Sequence, residues 1–169
     1  MSPDHSIPGI ASDKNARSAL VAMHAVIKPQ QTGQRDRRVY VVDDDASVSD
    51  SLIMLLETDG FEAVAYSSGA ALLADPRRCA MGCLIIDQHM PGMDGLAVVA
   101  ALQGEGIFVP TILISGRLDA AITARADKLG VTAALEKPPP VARLIALVRA
   151  ALENAGRRSW STGCGREPR

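Results

Sequence analysis

Leu84-Ile85-Ile86-Asp87-Gln88-His89-Met90-Pro91-Gly92-Met93-Asp94-Gly95 is the stretch on which the fold turns. Three apolar residues, two of them β-branched, run directly into a carboxylate, and a Pro- and Gly-rich turn follows. A short apolar run bounded by turn residues reads as a fully buried strand. Asp87 then stands at the strand's C-terminal end, the place where open α/β sheets gather their ligands. Aspartate also begins turns for purely local reasons, so this stretch alone leaves both readings open.

The flanking sequence repeats the pattern. Val39-Tyr40-Val41-Val42 predicts a strand, followed by Asp43-Asp44-Asp45. Ser47 to Thr58 predicts a helix with Val48, Leu52, Leu55 and Leu56 on one face, capped by Asp45 or Ser47 and ended by Gly60. Ala63-Val64-Ala65-Tyr66 is a second strand, and Ser67 or Ser68 opens a short helix reaching Ala74. After the strand at Leu84 comes a helix from Asp94 to about Gln103, with Leu96, Val99 and Leu102 inward. Thr111-Ile112-Leu113-Ile114 is a fourth strand, Asp119 to Leu129 a helix, and Val131 to Glu136 holds a fifth strand. Pro139 and Pro140 suit the first turn of a last helix, which carries Val141, Leu144, Ile145, Val148 and Leu152 on one side. Strand and helix alternate five times, which predicts a parallel sheet with helices on both faces and right-handed crossovers. The strands are continuous apolar runs, as a sheet covered on both faces requires.

The ends of the chain read differently. Residues 1–37 mix prolines, a polar Gln30-Gln31-Thr32-Gly33-Gln34 run and arginines, and predict a flexible leader. Within it Ala16 to Ile27 has the spacing of a short helix, too short to stand alone in water. Residues 38–155 form the predicted domain, and 156–169 a disordered basic tail rich in Gly, Ser and Arg.

Composition narrows the function classes. Of 169 residues 47% are hydrophobic but only 3% aromatic, so the core is aliphatic. With a formal net charge of -1, nothing in the overall charge argues for nucleic acid or an acidic membrane surface as a partner. No apolar run reaches the length of a membrane span, and no signal peptide is evident around Ala19 to Ile27. Cys79, Cys83 and Cys164 do not form a disulfide framework by number or spacing, which fits a reducing, cytoplasmic setting. Cys79, Cys83 and His89 lack the paired spacing of a zinc site.

Strand one ends in Asp43 and Asp44, strand three in Asp87, strand four in Ser115 and strand five in Lys137. In a parallel sheet these ends share one edge, so residues distant in sequence meet in one crevice. Each alone has a local explanation as a cap, a turn or a solvated charge. Together they make an acid cluster with one hydroxyl and one cation. Three nearby carboxylates relieve their repulsion by protonation or by holding a divalent cation, and an all-oxygen donor set favours Mg²⁺ or a similar hard ion. A carboxylate beside a metal and a lysine suits attack on phosphorus, where the catalytic work is positioning and charge neutralisation. Asp87 would be the acceptor that becomes an acyl phosphate.

Val41-Val42-Asp43-Asp44-Asp45, Ile86-Asp87 with Met90-Pro91-Gly92-Met93-Asp94-Gly95, Ile114-Ser115-Gly116 and Glu136-Lys137-Pro138 together resemble the receiver domain of two-component response regulators. The resemblance runs from about Arg38 to Leu152, and is strongest to the branch found in nitrogen-fixation-type regulators. It implies a flavodoxin-like, doubly wound, five-stranded parallel sheet of order 2-1-3-4-5. It implies phosphoryl transfer to Asp87 from a phosphohistidine on a sensor histidine kinase or a histidine phosphotransfer protein, with an unidentified protein target downstream. Asp44, Asp87 and the backbone carbonyl of His89 would ligate Mg²⁺, with Asp43 holding a metal-bound water. Ser115 and Lys137 would contact the phosphoryl group, and the Lys137–Pro138 bond would be cis.

The sequence departs from that family at one telling position. Receivers usually carry Tyr or Phe three residues before the lysine, and here Ala134 stands there. The side chains of His89 and Arg117 are candidates for tuning hydrolysis. The expectation is a stand-alone receiver that catalyses only its own phosphorylation and dephosphorylation and signals by docking on proteins. It includes no direct contact with nucleic acid or membrane, since residues 156–169 are too few for a helix-turn-helix module. Homodimerisation through the last helices stays open. Two readings compete: a phosphate sink or phosphorylation-independent adaptor, favoured by Ala134, and a Mg²⁺-dependent phosphohydrolase. The hydrolase reading is disfavoured because position 89 is His where a second Asp would serve as acid and base.

Overall fold

The computed structural model describes residues 38–155. The expected leader with its helix over Ala16 to Ile27 and the expected basic tail lie outside the described residues. Five strands form one sheet: β1 (Val39–Val42), β2 (Ala63–Tyr66), β3 (Cys83–Asp87), β4 (Thr111–Ser115) and β5 (Ala133–Glu136). Between and after them run α1 (Ala46–Thr58), α2 (Gly69–Ala74), α3 (Gly95–Gly104), α4 (Ala120–Lys128) and α5 (Val141–Ala155). All pairs are parallel, in the order β2-β1-β3-β4-β5. This is the doubly wound flavodoxin-like arrangement that the alternating pattern predicts.

Each β3 and β4 residue is buried, as is each β1 residue, because helices cover both sheet faces. Alternate residues feed two separate cores. Tyr40, Val42, Leu84, Ile86 and Leu113 face α2, α3 and α4, meeting Leu72, Leu96, Val99, Leu102 and Ile122. Val39, Val41, Ile85, Ile112, Ile114 and Leu135 face α1 and α5, meeting Leu52, Leu56, Leu144, Val148 and Leu152. Aliphatic burial of this kind contributes roughly 1.5–3 kcal/mol per large side chain. Tyr40 is the one aromatic ring buried among the described residues, and it stacks on Tyr66 with centroids 5.9 Å apart.

Helix starts follow the capping rules. Asp45 caps α1 through bonds from the Ser47 and Val48 amides, and Ser68 caps α2 through the Ala71 amide. Asp94 and Asp119 cap α3 and α4. One element was not expected: a 3₁₀ turn over Pro76–Ala80. Pro76 at its start and Asp75, which accepts from the Arg77 amide at 2.8 Å, account for it. The cysteines also differ from expectation: Cys79 is disulfide-bonded, while Cys83 is a free buried thiol. Among the described residues no helix is long and apolar enough to cross a membrane.

Candidate functional site

The sheet register brings the polar strand ends together. Val42 pairs with Ile86, Asp87 with Ile114 and Ser115 with Glu136. Asp43 and Lys137, one residue beyond their strands, therefore flank Asp87 and Ser115 on one edge.

Asp43 is held from three sides. Its amide donates to the Tyr66 carbonyl at 3.2 Å, and its own carbonyl accepts from the Ser49 hydroxyl at 3.3 Å. Carboxylate Oδ1 accepts from the Asp45 amide at 3.0 Å, and Oδ2 accepts from Lys137 Nζ at 2.7 Å. Lys137 Nζ also lies 3.2 Å from Asp87 Oδ1. The side chains of Asp43 and Asp87 are almost completely buried, at 3% and 5% exposure. Asp44 is exposed, yet one carboxylate oxygen from each of Asp43, Asp44 and Asp87 falls within 4.8 Å of the others.

The charges explain the titration behaviour. Burial pushes the Asp87 carboxyl above its ordinary value, with Asp43 adding to the effect and Lys137 opposing it. Desolvation works against the Lys137 charge, but hydrogen bonds to Asp43 and Asp87 outweigh it and hold the ammonium's pKa above the usual. Three carboxylates face one ammonium, so the cluster carries excess negative charge. The donor set is all oxygen, clustered and partly open to solvent, and so it fits a hard divalent cation. Among the described residues this is the one such cluster, and Cys79, Cys83 and His89 do not gather.

Ser115 is fully buried at the end of β4. Its hydroxyl donates to the Arg117 carbonyl at 2.6 Å, accepts from the Arg117 amide at 3.2 Å, and lies 3.2 Å from His89 Nδ1. His89 therefore touches the site through its ring, and its backbone N–H also bonds the Asp87 carboxylate. Arg117 reaches Ser115 through its backbone, while the residue as a whole is exposed. The Lys137 amide donates to the Ser115 carbonyl at 2.8 Å, and the Lys137–Pro138 bond is cis as expected. Ala134 pairs with Leu113, half-buried, and presents no ring.

Two supporting residues carried little sequence signal. Gln88 is buried; its Oε1 accepts from the Leu96 amide at 3.2 Å, and its carbonyl accepts from the Gly95 amide at 3.1 Å. Gly95 brings the start of α3 so close that a Cβ there would stand 2.3 Å from the Asp87 carbonyl oxygen. The glycine in Met93-Asp94-Gly95 marks this approach in the sequence, but its partner is visible only in the fold. Gly92 supplies the positive φ of 82° that turns the chain back toward α3. Asp94 caps α3 and pairs with Arg125 at 3.0 Å. Burial works against the Asp94 charge, but Arg125 and the Ala97 amide outweigh it and hold the carboxyl below its ordinary value.

A parallel sheet of this order with acids, hydroxyl and ammonium at one edge defines a class: the doubly wound, flavodoxin-like folds, whose ligands gather at the carboxyl ends of the strands. Residues 39–149 match the model of the response regulator receiver domain, and the chain belongs to that family. It is 39% identical over 114 residues to the transcriptional regulatory protein FixJ of Azorhizobium caulinodans, covering 68% of this chain and 54% of that protein. It is 39% identical over 132 residues to the response regulator protein TodT of Pseudomonas putida, covering 75% of this chain and 58% of that one. The chain thus spans little more than half the length of these relatives. A response regulator receiver domain protein from Clostridium thermocellum superposes with a TM-score of 0.64 at 24% identity, over 69% of this chain and 94% of that one, a likeness of fold.

Proposed function

We propose that this receiver accepts a phosphoryl group on Asp87 from a phosphohistidine of a sensor histidine kinase or a histidine phosphotransfer protein. A carboxylate oxygen of Asp87 attacks phosphorus, the phosphorus–nitrogen bond to the donor imidazole breaks, and its electron pair leaves with the imidazole. Mg²⁺, held by Asp43, Asp44, Asp87 and the His89 carbonyl, would neutralise charge on the phosphoryl oxygens. Lys137, already beside Asp87, turns its ammonium to a phosphoryl oxygen. Ser115 exchanges its bond to the Arg117 carbonyl for one to another phosphoryl oxygen. Burial of Asp87 disfavours its charge, so conversion to the acyl phosphate takes place at a carboxylate with little water around it. The observation that carries this reading is the Lys137 ammonium bridging two buried carboxylates, 2.7 Å from Asp43 and 3.2 Å from Asp87.

On this reading the protein catalyses only its own phosphorylation and dephosphorylation, works in the cytoplasm, and passes its signal by docking on another protein. Acetyl phosphate with Mg²⁺ is expected to give one labile phosphoryl group, lost in Asp87→Asn. Labelling that persists in the variant rejects the site. A second reading rests on Ala134: a phosphorylation-independent adaptor with no ring at the position that usually reports the switch. It predicts no incorporation from any donor. Steady release of phosphate from small phosphomonoesters would instead favour a hydrolase.

A further inference from the structure

One side chain outside the proposed chemistry reaches the loop that follows β4. The Leu118 amide donates to Glu136 Oε1 at 3.3 Å. Glu136 ends β5, in register with Ser115 at the end of β4. It shares a face of β5 with Ala134, two residues before it, and half-buried Leu118 packs on the same core as Ala134. Ala134 has only a methyl group to offer on that face, whereas the Glu136 carboxylate crosses to the loop.

The amide that Glu136 holds belongs to a peptide unit already in use. The carbonyl of the same Arg117–Leu118 peptide accepts from the Ser115 hydroxyl at 2.6 Å. That peptide is trans and planar, so its N–H and C=O point opposite ways, one bound by Glu136 and the other by Ser115. A carboxylate on the N–H polarises the peptide and makes its carbonyl oxygen a stronger acceptor, as in any chain of linked hydrogen bonds. The Arg117 amide returns a bond to the Ser115 hydroxyl at 3.2 Å, so a looser loop would free that hydroxyl on both counts. For phosphoryl binding alone a carboxylate is badly placed here. It stands next to Lys137 in a site that already holds three acids, and it repels an anionic group.

We propose that Glu136 is a positioning residue for phosphoryl acceptance. Through the Arg117–Leu118 peptide it keeps the Ser115 hydroxyl on the loop, and so slows the transfer of that hydroxyl's bond to a phosphoryl oxygen. The inference rests on the reading of Asp87 as the acceptor.

Two measurements on the full chain test it, and the first needs no phosphoryl group. Glu136→Ala is expected to speed hydrogen exchange of both the Leu118 and the Arg117 amides by roughly two- to tenfold, the worth of one hydrogen bond. Glu136→Gln removes the charge but retains an acceptor oxygen, and should stay nearer the parent. Glu136 is exposed, and both variants are expected to keep the parent's circular dichroism. Labelling by acetyl phosphate with Mg²⁺ should quicken by a similar factor in Glu136→Ala, and by less in Glu136→Gln. In a Ser115→Ala background Glu136→Ala should leave the labelling rate unchanged, because no hydroxyl remains to be held. Exchange that quickens at Leu118 alone overturns the proposal, since the Glu136 bond would then be purely local. So do equal labelling rates in the alanine and glutamine variants, which would make charge the cause, or an alanine effect that persists without the Ser115 hydroxyl. A parent chain that takes up no label while the exchange coupling holds overturns the acceptor reading of Asp87, and the kinetic half of this proposal with it.

Discussion

Lys137 Nζ sits closer to Asp43, at 2.7 Å, than to Asp87, at 3.2 Å. The lysine is therefore first the counter-ion of a buried carboxylate that is not the proposed acceptor. Lys137→Met leaves two buried acids facing each other without their ammonium. Removing one partner of a fully buried pair costs about 3–5 kcal/mol. Lys137 is 24% exposed, so a loss of about 1–2 kcal/mol is expected here, read from urea midpoints. Added Mg²⁺ should recover more stability in the variant than in the parent. The folded pKa of Lys137 is raised above 10.5, so its contribution is present in full below that pH and fades only as pH rises through the folded value. A penalty that already vanishes near neutrality would contradict the pairing.

Gly95→Ala tests the close approach beneath the acceptor. The added Cβ would stand 2.3 Å from the Asp87 carbonyl oxygen, so backbone must move. Overpacking of this kind costs about 1–3 kcal/mol, and slower labelling of Asp87 by acetyl phosphate should accompany it. Gly104→Ala in the same helix meets nothing within 4 Å, and is expected to be neutral or to stabilise by up to about 1 kcal/mol. Equal effects of the two changes would sink the argument.

Ser115→Ala separates two roles of one hydroxyl. The loss of its bonds to the Arg117 carbonyl and amide should destabilise the protein by about 1–2 kcal/mol. Ser115→Thr keeps a hydroxyl. Labelling rates that fall in the alanine variant and recover in the threonine variant, measured under conditions where both are folded, identify the phosphoryl-facing role. A rate unaffected by the alanine change would remove Ser115 from the proposed chemistry.

At the end of the edge strand β2, the Tyr66 hydroxyl donates to Asp75 Oδ2 at 2.6 Å. Burial first, then this bond to a carboxylate, pushes the phenol from 10.0 up to about 12. A raised folded pKa means that the protonated phenol stabilises the fold below pH 10.0, and that this contribution is lost as pH rises through about 12. Tyr66→Phe should remove that part of the alkaline destabilisation. The phenolate absorbance band in a parent-versus-variant pH titration checks it.

The architecture was legible because its signals are local. Apolar runs such as Leu84-Ile85-Ile86, each followed by a capped helix, specify a covered parallel sheet without knowledge of distant contacts. The convergence of Asp43, Asp44, Asp87, Ser115 and Lys137 was legible for a related reason: parallel strands place their C-terminal ends on one edge. What stayed hidden was set by partners in space. Nothing in the sequence says that Lys137 favours Asp43, that His89 turns its ring to Ser115, or that Gly95 lies against the Asp87 carbonyl. The 3₁₀ turn at Pro76 was missed because one proline and one aspartate are a weak signal among arginines. The disulfide at Cys79 was missed because three scattered cysteines carry no pairing rule.

The bond from the Lys137 amide to the Ser115 carbonyl, 2.8 Å long, has a mechanical meaning. It pins the backbone beneath hydroxyl and ammonium on adjacent, paired strands. On the proposed reading only side chains adjust to an incoming phosphoryl group: the ammonium by swinging on its flexible stem, the hydroxyl by giving up its bond to the Arg117 carbonyl.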